Sequence, residues 1–379
     1  MMRTTLERVT RRTVLQGAVT AGLGAAMGWR GALADVAPAP ITHTALADTL
    51  HLFEGAGGNV LAAGGADGVL LVDGGLAARS AELLQQVRAA TGKGRVQALF
   101  NTHWHWSHTG SNEALGKAGA RIIAHENTRL WLGTHVDSRW EQRIYPPLPA
   151  VARPTQTFYY GAQKFPFAGG DIEYGLMTQA HTDGDIYVFF PRENVIAAGG
   201  VVAGGSYPLT DWCTDGWLGG MVEGLSLLIG KADGETRIIP GEGPVRTKAD
   251  LVAQRDMCQE VLGRIGTSYF RGDTWEQFSA SHPTREFDAQ WGNPDPFLRT
   301  AYDGAWYHVN EIRRFTVRPG AGGRPPGGPR AAGPGAGPAS GRPAGAGAGA
   351  AGSGAGQAAG ADVGAPAGSQ AGHAAGAGR

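Results

Sequence analysis

The feature that most restricts how this chain can fold is its last segment, which has almost no large apolar side chain. From Pro319 to Arg379 the sequence is largely glycine, alanine and proline, and it begins PGAGGRPPGGPRAAGPGAGP. Such a segment cannot bury enough apolar surface to offset the conformational entropy that ordering removes. It also lacks a Gly-X-Y period, so a collagen helix is not expected. We predict that residues 319–379 are disordered and that the chemistry of the protein lies before them.

Residues 1–34 have the layout of an export signal. Basic residues, including the pair Arg11-Arg12, precede an apolar stretch from Val14 to Met27. This stretch is short for a membrane span and contains three glycines, so no stable membrane span is expected. The segment TRRTVLQG resembles a twin-arginine signal with cleavage after Ala34. We therefore expect a periplasmic or secreted protein, and an N-terminus that is merely basic is the alternative.

The charge of the chain limits the classes of molecule that it is expected to bind. The chain has 33 basic and 33 acidic residues, and removal of the signal would take away mostly arginines. The remaining protein would be mildly acidic without a basic stripe, so we expect a small-molecule substrate and no nucleic acid.

Two cysteines, Cys213 and Cys258, are too few for a disulfide framework. In an oxidising compartment they form one disulfide or stay free, and the sequence leaves both possibilities open.

Residues 45–318, after a linker at 35–44, alternate between strand-like and helix-like segments. NVLAAGGADGVLLVDGG (59–75) predicts two apolar strands joined by a hairpin turn at Gly65-Ala66-Asp67-Gly68. AARSAELLQQVRAAT predicts a helix, and RTKADLVAQRDMCQEVLGRI predicts another with one apolar face. The alternation indicates a mixed α/β domain with sheets in the middle and helices outside.

Three histidines follow the point where the short buried strand RVQALFNT ends. They are His103, His105 and His108, in THWHWSH. A turn at a strand end can direct two imidazoles toward one point, and zinc binds such nitrogen ligands, three of them in catalytic sites. His181, in QAHTDGD, lies at a similar strand-to-turn junction and is the best candidate for the third ligand. The remaining histidines that we interpret as structural are His125, His135, His282 and His308.

Together with AHTDGDIYVFFPRENVIAAGG and IIPGEGPV, the cluster resembles the metallo-β-lactamase fold superfamily. The resemblance covers residues 45–265 in order and spacing, and the helices that follow are expected to continue the same domain. It implies an α+β protein, a four-layer αββα sandwich with the metal site at one edge between two sheets. In that family the positions matching His103, His105 and His181 hold the first metal ion, and all three are present here.

The family pattern is incomplete at the second metal ion. Ser107 stands where the cluster has an aspartate, Gly200 where the bridging aspartate is expected, and Glu242 where the last histidine is expected. Of the second-site positions only His108 is unchanged. The resemblance therefore implies one zinc ion at the first site, with His108 and Glu242 forming at most a weak second site.

One zinc ion on three neutral imidazoles lowers the pKa of bound water to about 7. We therefore expect a hydrolase in which zinc-bound hydroxide attacks an ester, lactone or lactam carbonyl. Glu242, Asp183 and Asp185 are candidate general bases, and turn capping is the alternative for the two aspartates. Trp104 and Trp106 are candidates for lining a substrate pocket, with core packing as the alternative.

Two other functional hypotheses stay open from the sequence. The first is a binding protein that has kept the fold and lost catalysis, because three ligands of the second site are missing together. The second is an altered dinuclear enzyme in which restoration of aspartate at Ser107, aspartate at Gly200 and histidine at Glu242 would recover a second metal ion.

Overall fold

The computed structural model describes residues 40–312. The predicted export signal and the predicted disordered segment lie outside the described residues. The first strand begins at Thr42, within the interval that the sequence assigns to a linker. Within the described range, no helix has both the length and the apolar character that a membrane crossing requires.

Fourteen strands and ten α-helices are found in this part of the chain. The strands are β1 Thr42–Ala45, β2 Leu50–Glu54, β3 Val60–Gly65, β4 Gly68–Val72, β5 Val96–Phe100, β6 Arg121–His125, β7 Val136–Ser138, β8 Arg143–Tyr145, β9 Gln156–Phe158, β10 Ala162–Phe167, β11 Gly170–Leu176, β12 Ile186–Phe190, β13 Val195–Gly199 and β14 Arg237–Pro240. The helices are α1 Ser80–Thr91, α2 Trp106–Thr109, α3 Asn112–Lys117, α4 Glu126–Leu132, α5 Leu218–Lys231, α6 Lys248–Arg271, α7 Trp275–Ala280, α8 Asp288–Trp291, α9 Asp295–Ala305 and α10 Val309–Ile312.

The strands form two large sheets and one small hairpin. The first sheet has the order β1-β2-β3-β4-β5-β6-β9, the second has the order β10-β11-β12-β13-β14, and β7 pairs with β8 alone. The predicted hairpin is confirmed, since β3 and β4 are antiparallel and Gly65 pairs with Gly68. From β4 to β9 the first sheet is parallel, so the carboxyl ends of these strands lie along one edge.

The two sheets pack face to face with helices on both outer faces. Leu70 of β4 and Val188 of β12 belong to the buried cluster between the sheets. Leu71, next to Leu70, packs instead with Leu83 of α1 on the outer face of the first sheet, because successive strand side chains point to opposite faces. On the outer face of the second sheet, α5 and α6 pack against β13 and β14. The four-layer αββα sandwich is confirmed.

The long helix α6 begins and ends where its local sequence dictates. The Thr247 hydroxyl accepts a hydrogen bond from the Asp250 amide, and the Asp250 carboxylate accepts one from the Thr247 amide, which forms a capping box. Gly272 ends the helix in the left-handed region, at φ +78°. Its buried face includes Cys258, whose pKa is raised by burial. Cys213 and Cys258 are both free thiols, so of the two possibilities that the sequence left open the structure shows no disulfide between them.

Candidate metal centre

Three histidines from two strand ends lie together at one edge of the sandwich. His103 and His105 are in the turn after β5, and His181 is in the loop between β11 and β12. One ring nitrogen from each lies within 4.8 Å of the others, and the imidazole rings are nearly perpendicular to one another. The structure therefore brings the three predicted first-site ligands together.

Hydrogen bonds determine which nitrogen of His103 is free. Its Nδ1 lies 3.0 Å from Oγ1 of Thr102, and the Thr102 hydroxyl donates its proton to Oδ2 of Asp73 at 2.8 Å. The Thr102 oxygen must therefore accept from Nδ1–H of His103, which leaves Nε2 unprotonated. This Nε2 is buried and has no hydrogen-bond partner among the described residues.

The same reasoning applies to the other two rings. Nε2 of His105 donates to Oδ2 of Asp211 at 3.1 Å, and Nδ1 of His181 donates to the carbonyl of Leu209 at 2.8 Å. The opposite nitrogens, Nδ1 of His105 and Nε2 of His181, are 3.1 Å apart. With both tautomers fixed in this way, two lone pairs face each other, and a cation between them removes their repulsion. The donor set therefore fits a metal ion.

Burial keeps two of the rings in the form that binds metal. Removal from solvent lowers the pKa of His103 well below its ordinary value and lowers the pKa of His181 to about 3. Neutral imidazole is the ligand form, so His103 and His181 need not lose a proton near neutral pH. Burial is the largest single influence on the Asp211 carboxyl group and opposes its charge, but the hydrogen bonds from His105, Thr214 and Trp140 and the charge interaction with His105 together lower its pKa.

The residues expected at a second metal site are arranged differently. The ring of His108 lies 4.3 Å from that of His103, and its Nδ1 donates to Oδ2 of Asp73 at 2.9 Å, so Nε2 is the atom it could offer to a metal ion. Burial disfavours a charged His108, yet the Asp73 carboxylate raises the pKa of His108 above its ordinary value. Glu242 is exposed in the loop after β14. In residues 40–312, the one group of three potential ligands is the first-site triad.

The His181 ring fills the space beside Gly200, where the family pattern has a bridging carboxylate. A Cβ atom at Gly200 would lie 2.2 Å from Cδ2 of His181, well inside the van der Waals distance. Any side chain at this position requires the His181 ring to move. The present position of a first-site ligand therefore excludes the side chain that the family pattern has at Gly200.

The two candidate aspartates after His181 make contacts within the fold. Asp185 is buried and accepts hydrogen bonds from the backbone amides of His181 and Thr182, at 2.6 and 2.9 Å. It holds the turn that carries His181 and does not line the cavity beside the histidines. Asp183 accepts hydrogen bonds from the Trp131 indole and the Asn127 amide, at 2.7 and 2.9 Å. Turn capping is the geometry that the structure gives Asp185.

The two tryptophans of the histidine motif occupy different environments. Trp104 is 1% exposed, donates a hydrogen bond to Oγ1 of Thr214 at 3.1 Å, and packs in a small core with Tyr145. Trp106 is only partly buried and lines the cavity next to the histidines. Trp104 therefore lies in a core and Trp106 lies at the cavity.

The cavity has a volume of about 380 Å³, within the range of small-molecule sites. The histidines form one side, and the β7–β8 hairpin and the loop after β13 form much of the rest. The lining includes the predicted residues His103, His105, His108, His181, Trp106, Ser107 and Glu242, and also Trp140, Glu141, Arg143, Tyr145 and Tyr207.

Sequence reasoning missed the residues that orient the ligands. Asp73 gave a weak signal, because it follows the buried strand β4 at the edge where β5 also ends. Asp211 gave no signal, since its loop has neither periodic pattern nor motif. Trp140 likewise had no local signal, although its indole donates to Oδ1 of Asp211 at 2.9 Å.

Comparisons with known proteins identify the family of this fold. A family model described as the metallo-beta-lactamase superfamily matches residues 54–255. The sec-alkylsulfatase Pisa1 from Pseudomonas sp. is 16% identical with a TM-score of 0.57, and the match covers 74% of this chain and 52% of that one. A metallo-beta-lactamase from Pontibacter korlensis is 17% identical with a TM-score of 0.47, covering 58% and 99%. No curated protein matches the chain.

Proposed function

Because this chain belongs to the metallo-beta-lactamase superfamily, we propose that it is a metal-dependent hydrolase of small molecules with one zinc ion at His103, His105 and His181. One observation carries the proposal. The hydrogen bonds of Thr102, Asp211 and Leu209 fix the three tautomers so that the unprotonated nitrogens converge. A core histidine cluster that only fills space has no need of an unpartnered buried nitrogen such as Nε2 of His103.

The donor set is the kind that zinc prefers. Three imidazole nitrogens without thiolate are typical of catalytic zinc sites, which keep a further position for water or substrate. When bound, zinc would act as a Lewis acid and would activate water near neutral pH. The protein's own residues orient the ligands, since Asp211 holds His105 and Asp185 holds the turn before β12. Ligand orientation of this kind raises metal affinity.

A single metal ion is the stoichiometry that we propose. Gly200 has no room for a bridging carboxylate beside His181, and Ser107 has no carboxylate to offer. In residues 40–312 no third potential ligand groups with His108 and Glu242, since the one group of three is the first-site triad. Among the candidate general bases, Glu242 is the carboxylate that lines the cavity, and it is therefore our candidate for accepting a proton from water.

The substrate class that we propose is an ester, lactone or lactam of a small molecule. The cavity of about 380 Å³ has the size for such a molecule. The relatives named above are a metallo-beta-lactamase and a sec-alkylsulfatase. At sequence identities below one fifth, such relatives indicate the fold of this chain but not its substrate, which experiment has to identify.

Zinc content and turnover test the proposal together. The full chain should retain about one zinc ion, and His103→Ala should lose it while the exposed control His135→Ala keeps it. Turnover of aryl esters, lactones or β-lactams should then disappear in His105→Ala. Protein that binds no zinc, or turnover that survives His105→Ala, would overturn the proposal. Zinc without turnover of any of these classes would favour the alternative, a binding protein with the same fold.

We also propose that the protein is exported, periplasmic or secreted, through its twin-arginine segment. The support is the pair Arg11-Arg12 before an apolar stretch that ends near Ala32-Leu33-Ala34. Conservative replacement of both arginines by lysine should retain the protein in the cytoplasm, while Arg3→Lys should not. Equal export of the two variants would contradict this assignment.

A further inference from the structure

The β7–β8 hairpin is fixed to the metal centre. Val136 pairs with Tyr145 across the hairpin, and both pack with Trp104 in a small core. The Trp140 indole, in the turn of the hairpin, donates to Oδ1 of Asp211, the carboxylate that binds His105. A side chain on this hairpin therefore has a defined position relative to the histidines.

Arg143 of this hairpin lines the histidine cavity with its charge held against aromatic rings. Its guanidinium carbon lies 4.7 Å from the centroid of the Tyr145 ring and 5.4 Å from that of Trp106. Such contacts attract a cation without using all of its N–H donors. Within residues 40–312, no carboxylate oxygen lies within 4.0 Å of the Arg143 guanidinium nitrogens, whereas Arg139 of the same hairpin pairs with Asp137 at 4.0 Å.

Glu141 is the nearby charge of opposite sign. Burial raises the pKa of the Tyr145 hydroxyl most, Glu141 raises it further and Arg143 lowers it, so both charges lie near this phenol. Glu141 and Glu242 both line the cavity and are exposed. Asp211 and Asp73 hydrogen-bond His105 and His108, so their charges offset that of a bound zinc ion. Among the cavity-lining residues Arg143 is the one arginine or lysine, so it is the side chain that offers an anion both a fixed positive charge and N–H donors.

We propose that Arg143 binds an anionic group, a carboxylate or a sulfate, on a substrate whose apolar part lies against Trp106, Trp140 and Tyr145. The planar guanidinium forms bidentate hydrogen bonds with either anion, and the rings supply the apolar surface beside it. The reaction in this proposal rests on the proposed function, whereas the choice of Arg143 rests on the geometry of the hairpin. It identifies the substrates as anionic esters or lactams.

A pair of esters that differ in one charge tests the proposal on the zinc-loaded full chain. The probes are mono-4-nitrophenyl glutarate, which is anionic, and its neutral methyl ester. Arg143→Gln should lower kcat/KM about 10-fold to 100-fold for the anionic ester alone, because a hydrogen bond to a charged group is lost. Arg143→Lys should restore part of this loss, since it keeps the charge without the planar fork. Arg139→Gln is the matched control and should behave as wild type.

A binding measurement separates this proposal from the proposed function. Calorimetry with phenylacetate and its neutral analogue phenylacetamide, on zinc-loaded and zinc-free protein, does not require turnover. If no ester is hydrolysed but Arg143→Gln alone weakens phenylacetate binding, the hydrolase assignment fails and Arg143 remains the anion site. If Arg143→Gln and Arg139→Gln bind phenylacetate with equal affinity, the proposal is overturned. It is also overturned if the wild-type protein does not prefer phenylacetate to phenylacetamide. Benzylamine serves as a cationic probe. If the wild type does not prefer the anion, and Glu141→Gln specifically weakens benzylamine binding, the cavity selects cations instead of anions.

Discussion

Nε2 of His105 lies 3.1 Å from Oδ2 of Asp211, and this contact turns the opposite nitrogen of His105 toward His181. The same carboxylate accepts hydrogen bonds from the Thr214 hydroxyl at 2.7 Å and the Trp140 indole at 2.9 Å. One buried side chain therefore orients a ligand and anchors the hairpin that lines the cavity.

Asp211→Asn should weaken zinc binding while the fold persists. An amide has one acceptor oxygen, so it cannot accept from His105 and Thr214 on one side and from Trp140 on the other. Loss of such an outer partner typically lowers metal affinity about 10-fold to 100-fold. A competition titration with a chelator measures the zinc affinity. Asp215→Asn is the control, because Asp215 is in the same loop and contacts Gln179 instead of a ligand. Equal affinities in the two variants would contradict the role of Asp211.

Gly200→Asp should remove zinc instead of adding a second ion. The new Cβ would lie 2.2 Å from Cδ2 of His181, so the ring has to leave its place among the ligands. Restoration of Asp at Ser107, Asp at Gly200 and His at Glu242 should therefore yield less than one zinc per chain. Elemental analysis gives the stoichiometry, and Gly230→Asp is the control because nothing lies within 4 Å of its Cβ position. Two zinc ions in the triple variant would support the altered dinuclear enzyme.

Trp104→Ala and Trp106→Ala should have different consequences. Trp104 is almost fully buried, so its truncation should reduce the free energy of unfolding by about 3–5 kcal/mol. Trp106 is partly buried and lines the cavity, so its truncation should mainly reduce affinity for phenylacetate. Urea unfolding and calorimetry give the two quantities. A larger loss of stability in Trp106→Ala than in Trp104→Ala would refute this assignment.

Asp183→Asn should become more stable relative to wild type as the pH rises. Burial raises the pKa of Asp183 from its ordinary value of 3.8 to about 6. Between these values the folded protein binds a proton that the unfolded protein has released, so this contribution to stability is lost as the pH rises through about 6. The difference in unfolding free energy should shift by up to about 3 kcal/mol between about pH 4 and pH 7.

Urea unfolding of both proteins at several pH values measures this shift. Asp67→Asn, at the exposed hairpin turn after β3, should follow the wild-type pH dependence. Parallel pH profiles for Asp183→Asn and wild type would mean that Asp183 is ionised in the folded protein throughout this range.

Local periodicity predicted many of the strands and helices, and the family resemblance predicted their arrangement as an αββα sandwich. The hairpin at Gly65 and Gly68 and the buried face of α6 depend on residues that are close in sequence. Regular backbone structure repeats every two or 3.6 residues, so an apolar pattern with that spacing identifies the element and its buried face. The first-site ligands His103 and His105 were predictable for the same reason, because one short turn carries both.

The identity of His181 as their partner followed from its similar position at a strand end, together with the family resemblance. The resemblance also predicted which ligands of the second site are absent. It did not reveal that the His181 ring occupies the space beside Gly200. Nor did it separate Trp104, which lies in a core, from Trp106, which lies at the cavity.

The sequence by itself determined the layered α/β sandwich and three nitrogen ligands at its edge. Only the tertiary structure decided the tautomers of those ligands, through Thr102, Asp211 and the carbonyl of Leu209. It also decided the position of Arg143 at the cavity wall. The physical reason is the range of the interactions. Periodic apolar patterns act between neighbours in the chain, whereas a hydrogen bond from His105 to Asp211 depends on how two irregular loops pack against each other.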